Sequence, residues 1–442
     1  MNKLRALLQQ RRFGPFFWAQ ALGAFNDNVF KTALITQVAF NTASLTTLDG
    51  GMLVTLLPGV FILPFFLFSA SAGQLADKYD KASIIRLVKL LEIAIMLLAG
   101  AGFMLHSLAM LTLALFLMGM HSAMFGPVKY SYLPQHLQAG ELTAGNGLVE
   151  MGTFVSILLG QVLGAWLGSL SQHALVTSLS VLLIAVSGFH FSRRIPSAAA
   201  PVPALTINWN PLSETANNVR IFWAQPVLWL GIVAISWFWF FGATLLAQFP
   251  SLAKSVLQGS ERDFIALLTT FSIGVGLGSI LCEKLSQGRH ELGLVLLGAL
   301  GMSLFTFDFA STSAIIHVQL QANTGLTLHT LAGWEYWRML ADVALLGLCG
   351  GFYIVPLYVL LQSRAETNYQ SRVIAANNIL NALFMVLSAG FSLLLFGMGL
   401  SIPQLFMVTA AVNLLIAGYL CIRQPEYWFS TVAYLKRCLV AA

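Results

Sequence analysis

Apolar residues run along this chain in long blocks, separated by short stretches that are polar, glycine-rich or basic. Twelve such blocks stand at about 13–40, 51–76, 83–105, 108–128, 143–169 and 172–191, and then at 226–249, 263–283, 291–315, 335–361, 371–398 and 402–422. Each is too long and too continuously apolar for a strand, and a helix satisfies its own backbone in lipid, so the pattern predicts twelve transmembrane helices. The longest polar connection, Ser192 to Arg220, carries Arg193, Arg194, Pro196, Pro201, Pro203 and Pro211. It divides the chain into an N-terminal six-helix bundle (1–191), a linker (192–222) and a C-terminal six-helix bundle with a short tail (223–442).

Composition sharpens this reading. Of the 442 residues, 57% are hydrophobic and only 9% charged, with a mean hydropathy of +0.79. A soluble domain carries about a quarter charged residues, so a soluble globular protein is excluded and no room remains for a sizeable soluble catalytic domain. The net charge of +6 does not indicate nucleic acid, because the bases gather in no polar domain with interleaved aromatics. They follow topology instead. With the amino terminus inside, all Lys and Arg collect on one side, Lys78, Lys81, Arg86 and Lys89 among them, except Lys254 and Arg262 opposite and Lys31 and Arg338 within spans. Both termini are therefore expected in the cytoplasm. Lys3, Arg5, Arg11 and Arg12 before an apolar stretch look superficially like a signal sequence. That stretch contains Asn26, Asp27, Asn28 and Lys31 and lacks a small-residue cleavage site, so it reads as a retained first span. Cys282, Cys349, Cys421 and Cys438 have no paired spacing, and neither a disulfide framework nor a metal or cofactor is expected.

The segment Ala144-Gly-Asn146-Gly-Leu-Val-Glu150 at the start of the fifth block parallels Ala375-Ala-Asn377-Asn-Ile-Leu-Asn381 at the start of the eleventh. Parallel six-helix repeats are a known transporter design, with the substrate site between the halves near the midplane. An ionised side chain at the bilayer centre costs at least about 2.5 kcal/mol, so Asp27 and Lys31 must face a partner or a wet cavity. Four residues apart, they either pair with each other or meet a ligand, Asp27 holding an ammonium group or a coupling cation. Asn26 and Asn28 point to different faces, so at most one joins Asp27. Glu150 lies about two turns into its helix with Asn146 one turn earlier; it either contacts a ligand or steadies a gate with Lys129. Lys129, at an expected helix end after Gly126 and Pro127, is either a phosphate contact or a positive-inside anchor. In the second half Asp308 stands alone, while Arg338 and Asp342 form an i,i+4 pair beside Trp334, Tyr336 and Trp337, where Arg338 snorkels to the interface. The run Trp237 to Phe241 either lines a lateral slit or faces bulk lipid. Gly160, Gly164 and Gly168 recur every four residues, which lets two helices pack closely. There is no G-x-S-x-G, Walker lysine or H-x-x-x-x-D pattern, so no catalytic nucleophile is visible and an enzyme is not expected.

Between the second and third blocks, Gly73-Gln-Leu75-Ala-Asp77-Lys78-Tyr-Asp80-Lys81, followed by Arg86, resembles the signature of the major facilitator superfamily, with Asp80 where a glycine is usual. In that reading Gly73, Asp77, Lys78, Lys81 and Arg86 form a gate. Phe25-Asn26-Asp27-Asn28, Phe125-Gly126-Pro127-Val128-Lys129-Tyr130, Gly145-Asn146-Gly147-Leu-Val-Glu150 and Pro356-Leu-Tyr-Val-Leu-Leu-Gln362 together look like the lysophospholipid transporter branch. The resemblance implies an all-α major facilitator fold that flips lysophospholipids, chiefly 2-acyl-glycerophosphoethanolamine, across a bacterial inner membrane for reacylation. It implies as partners the lysophospholipid, the membrane lipids and a lysophospholipid acyltransferase. Asp27, Asn28, Lys31, Lys129, Asn146 and Glu150 are the candidate substrate-binding residues, with Asp308, Arg338 and Asp342 as further candidates. A facilitator of a soluble solute or drug, driven by protons through Asp27, is the alternative; an intramembrane acyltransferase and a non-transporting lipid receptor are two more.

Overall fold

The structure, a computed structural model, describes residues 2–41, 45, 46, 48–170, 173–322, 328 and 333–441. Position 172, the expected start of the sixth block, lies outside them. The described chain is built from α1 (Asn2–Gln9), α2 (Gly14–Asn41), α3 (Gly50–Lys78), α4 (Lys81–Met104), α5 (Leu108–His136), α6 (Leu142–Ser169), α7 (His173–Ser192), α8 (Pro211–Trp223), α9 (Pro226–Ser251), α10 (Glu261–Ser286), α11 (Gly293–Ala322), α12 (Gly333–Arg364), α13 (Gln370–Gly397), α14 (Ile402–Arg423) and α15 (Glu426–Ala441). Ten of these helices are long and apolar enough to cross a membrane. The charge-bearing α2 and α4 have matching length and pack alongside α5, α6 and α7.

Polar turn residues start several of the helices. Asp49 accepts the Met52 amide at 2.7 Å, Asp80 accepts that of Ser83 at 2.7 Å, and Asn210 accepts those of Leu212 and Ser213. Each supplies an oxygen to an amide that has no intrahelical partner. Prolines do not end the helices: α3 runs through Pro58 and Pro64, and α5 through Pro127 and Pro134. The expected helix end near residue 128 is therefore moved to His136, and Lys129 lies inside α5. Neighbouring helices hold such a proline within a bundle, and Ser131 donates back to the carbonyl of Pro127 at 2.7 Å. Three helices were not foreseen, the first being α1 ahead of the first apolar block. α8 sits in the expected linker, announced by its Asn210 cap and by Pro211 in the first turn, and α15 occupies the expected short tail.

By compactness the chain divides into residues 1–228 with 361–382, and 229–360 with 383–442, so the expected linker lies inside the first unit and α12 and α13 contribute to both. In the first unit, Val29, Phe30, Ala33 and Leu34 of α2 meet Ile95 and Met96 of α4 and Leu111, Leu115 and Met118 of α5 in one core cluster. The glycine stripe of α6 lies on the backbone of α2: a Cβ on Gly160, Gly164 or Gly168 would stand 2.7, 2.5 or 2.8 Å from the carbonyl oxygen of Phe25, Val29 or Ala33. The second unit repeats the device, with Gly274 and Gly278 of α10 against the carbonyls of Ala344 and Leu348 of α12. The Trp237–Phe241 run does not mainly face lipid. Trp237, Phe238, Phe240 and Phe241 are buried within this unit, and the Trp237 indole donates to Asn413 at 2.7 Å.

Close approach at Gly164 leaves no volume for a side chain. Gly164→Leu is expected to separate α2 from α6 and cost at least the roughly 1–3 kcal/mol typical of overpacking, read as a lowered thermal midpoint of purified protein, while the same substitution at Gly390, whose Cβ position is open, leaves the midpoint near wild type.

Candidate functional site

The three consecutive polar residues of α2 diverge, as one turn of helix requires. Asn26 donates to Oε1 of Glu92 on α4 at 2.7 Å, Asp27 Oδ2 accepts the Ser122 hydroxyl of α5 at 2.6 Å, and Asn28 turns toward α6, its amide donating to the carbonyl of Ala24 and its Cβ close to Gly160. Asp27 does not pair with Lys31, whose ammonium lies 5.1 Å from the centroid of the Phe61 ring. Its second oxygen, Oδ1, is buried without a hydrogen-bond partner.

A polar chain continues on α5 and α6. Lys129 donates to Thr153 Oγ1 at 2.9 Å, Thr153 reaches Gln20 at 3.2 Å, and the Tyr130 hydroxyl donates to Glu150 Oε1 at 2.5 Å. Lys129 and Glu150 thus have separate partners rather than each other, and Glu150 Oε2 and Gln20 Nε2 are left buried and unpartnered. Asn146 is not free to meet a ligand here. Its side-chain amide and that of Gln362 bond reciprocally at 2.6 and 3.0 Å, and Gln362 also donates to the carbonyl of Tyr130 at 3.1 Å.

Of the gate candidates, Gly73 and Asp77 meet the start of α13, and Lys78 and Arg86 do not. Asp77 is buried at the end of α3 and accepts the Ser371 amide and the Arg372 guanidinium, both at 3.1 Å. A carboxylate there faces the positive end of the helix dipole and a cation together. Gly73 permits the approach, since its Cβ would stand 2.7 Å from that of Ala375. Lys81 is buried beside this site, Lys78 lies over the Tyr79 ring at 5.8 Å, and Arg86 donates to the carbonyl of Ile195 at 3.2 Å.

Asp80, the departure from the usual glycine, has a structural use. Besides capping α4, its Oδ2 accepts the Ser197 hydroxyl at 2.6 Å and the Ala198 amide at 2.7 Å. Partial burial raises this carboxyl, and those hydrogen bonds together with the Ser83 amide outweigh burial and hold it below the usual carboxylate range. Gln74 bonds the backbone of Asn208 twice and the Asp77 carbonyl accepts the Val202 amide, so the 195–208 stretch is strapped to the signature loop.

The family model of the Major Facilitator Superfamily matches residues 16–389. The chain belongs to the major facilitator superfamily. It is similar to the lysophospholipid transporter LplT of Pectobacterium carotovorum subsp. carotovorum, with 26% identity over 407 residues and 89% of each chain covered. The same-named protein of Escherichia coli O157:H7 is 26% identical over 386 residues, covering 84% of this chain and 85% of its own. The crystal structure of the human organic anion transporter MFSD10 matches with a TM-score of 0.71 at 14% identity, covering 93% of this chain and 99% of that one, a likeness of fold. This major facilitator protein is a multi-pass membrane transporter, and the two relatives that share about a quarter of its sequence are transporters by name.

Sequence reasoning missed one cluster. Lys89, counted among the bases of one membrane side, is fully buried and pairs with Glu92 at 2.7 Å, while His121 Nε2 of α5 lies 3.3 Å from the same carboxylate. A Cβ on Gly23 would stand 2.3 Å from the Lys89 ammonium. The i,i+3 spacing of Lys89 and Glu92 was the available signal; the partners on α2 and α5 had none. In the second unit the structure joins Arg338 to Asp308 of α11, with Nε 3.0 Å from Oδ2, where the sequence suggested only Asp342. Asp342 is buried beside them with Oδ2 unpartnered.

Two outcomes follow. Glu92→Gln leaves the Lys89 ammonium buried without its counter-charge and is expected to cost about 3–5 kcal/mol, whereas Lys89→Met combined with Glu92→Leu and Asn26→Leu, which leaves no buried charge and no Asn26 donor without its acceptor, recovers most of that loss, both read by denaturant unfolding in detergent. Because the folded-state value of Asp80 lies below its unfolded one, its hold on the linker is complete above the ordinary carboxylate range and is lost as pH falls through the lower, folded value; deuterium exchange at the Ala198 amide, corrected for intrinsic rate, is expected to quicken over that interval in wild type and not in Asp80→Asn.

Proposed function

We propose that this transporter flips lysophospholipids, chiefly lysophosphatidylethanolamine, across a bacterial inner membrane by alternating access of its two six-helix halves, delivering them for reacylation by a lysophospholipid acyltransferase. The observation that carries the reading is the half-buried Asp27 side chain with one carboxylate oxygen buried and unpartnered, in a chain similar over most of its length to lysophospholipid transporters. A lysophospholipid suits such a site. Its head is a zwitterion that needs a polar cavity, while its single chain stays in an apolar surrounding, so the head alone bears the cost of leaving water.

Roles follow from the bonding each group has left. The open oxygens of Asp27 and Glu150 receive the ethanolamine ammonium, and Lys129, held by a single hydroxyl, offers its remaining donors to the phosphate. Lys31, stacked on Phe61 and not neutralised by Asp27, is a second cation for that phosphate. Asn28 and Asn146 are already engaged and serve to position α2 and α6. Asp77 with Gly73, Lys78, Lys81 and Arg86 forms the gate: releasing Ser371 and Arg372 frees the start of α13. Arg338, Asp308 and Asp342 form a polar group of the second unit and are further candidates for contact with the head. Positive-inside counting places both termini in the cytoplasm.

The test uses purified protein in liposomes with labelled lysophosphatidylethanolamine outside and an active acyltransferase trapped inside. Wild type is expected to give protein-dependent acylation that falls at least about tenfold in Asp27→Asn, since a charged hydrogen bond worth about 1.5–3 kcal/mol is removed. Acylation no faster than in empty liposomes would overturn the lysolipid reading and favour a soluble-solute facilitator, and an unchanged rate in the variant would remove Asp27 from the path.

A further inference from the structure

The last helix, α15, has no role in the transport reading and a surface that calls for a partner. Two residues separate it from the end of α14 at Arg423, so it starts where a membrane-spanning helix leaves the membrane. One face is spent on the protein: Tyr427, Thr431 and Tyr434 are buried, Thr431 donates to the carbonyl of Gly293 at 3.1 Å, and a Cβ on Gly293 would meet the Ser430 carbonyl at 2.8 Å. Arg437 forms an ion pair with the buried carboxylate of Glu291 and lies over the Tyr434 ring, fixing the helix about its own axis.

That rotation leaves a second stripe uncovered. Trp428, Leu435 and Leu439, spaced i, i+7 and i+11, are 54, 44 and 79% exposed, with half-buried Val432 on the same line. Lys436 is exposed beside the stripe, seven residues from Phe429, which is itself exposed and widens the apolar surface on that side, and the only acid in the helix is Glu426 at its start. Arg423, exposed in the last turn of α14, adds positive charge just before this helix, and Lys284 is likewise exposed in the last turn of α10. An apolar stripe flanked by cations, on a helix held at the exit of a transmembrane span, is the pattern of an in-plane helix on an anionic lipid surface.

We propose that α15 is an interfacial helix that inserts Trp428, Leu435 and Leu439 among acyl chains and draws anionic phospholipid headgroups to Lys436 and the neighbouring basic residues. The partner is the bilayer itself, in the leaflet where the chain's basic residues collect, and the site is independent of the transported molecule.

The test places a fluorophore on one accessible cysteine at a time, Trp428→Cys, Leu435→Cys, Leu439→Cys and, on the far side, Ala433→Cys, in full-length protein carrying Cys421→Ser and Cys438→Ser and keeping only the buried Cys282 and Cys349. It is reconstituted in vesicles of phosphatidylcholine with or without phosphatidylglycerol. Brominated lipid is expected to quench the labels at 428, 435 and 439 and aqueous iodide the label at 433. Lys436→Gln, which disturbs no buried contact, is expected to lower the preference for spin-labelled phosphatidylglycerol over phosphatidylcholine by up to about fivefold, the loss of one surface-bound basic charge. Iodide reaching 428, 435 and 439 as readily as 433 would overturn the proposal, leaving the stripe for a protein partner, and an unchanged lipid preference in Lys436→Gln would overturn its electrostatic half.

Discussion

A charge placed inside a helix bundle in lipid must be answered within the protein, and the first compact unit is organised by how it meets that demand. Lys89 and Glu92 neutralise each other one turn apart on α4, and the leftover capacity of the carboxylate is taken by Asn26 from α2 and approached by His121 from α5. Three helices are thereby fixed in rotation about their axes, because a few degrees would strand a buried charge at a cost of several kcal/mol. With Asn26 held on one side and Asn28 against α6 on the other, Asp27 has a single direction left to face. Its open oxygen is a by-product of its neighbours' satisfaction.

Close helix approach meets the same demand by different means. Gly160, Gly164 and Gly168 bring α6 onto the backbone of α2, which sets the polar groups of the two helices within reach of one another: Thr153 finds Gln20 there. Gly73 does likewise for α3 and the start of α13, where Asp77 replaces the water that would otherwise satisfy the first amides of that helix. A site of this kind is suited to opening, since each bond broken has a replacement in water. The fully buried Lys89–Glu92 pair has no such replacement.

The linker joins that arrangement through Asp80. Where the family signature usually has glycine, this chain has a carboxylate that caps α4 and takes two donors from the 195–208 stretch, while Gln74 and the Asp77 carbonyl hold two more points of it. The same nine-residue segment, the end of α3 and the turn into α4, therefore presents Asp77 to α13 on one side and Asp80 to the linker on the other. α8 continues this strap and buries Glu214, Asn218 and Phe222, one face of a helix whose opposite face carries exposed Leu212 and Trp223.

The amino-acid sequence by itself determined the solvent, the helices and the family. Continuous apolar blocks admit only helices in lipid, and the Gly73–Lys81 signature with the Asp27, Lys129 and Glu150 motifs marked where polar chemistry had been retained at a cost. It also marked Gly160, Gly164 and Gly168 as a contact surface. Partners were another matter. A side chain's choice among neighbours depends on helix rotation and on contacts far apart in the chain, so Asp27 took Ser122 rather than Lys31, Arg338 took Asp308, Asn146 took Gln362, and Lys89 moved from a topological anchor to a buried charge. α5 ran on through Pro127 because its neighbours supplied what the proline removed, and α8 and α15 emerged from a linker and a tail because their buried faces had helices to pack on. Local spacing states which groups must be satisfied; only the folded arrangement of helices decides by whom.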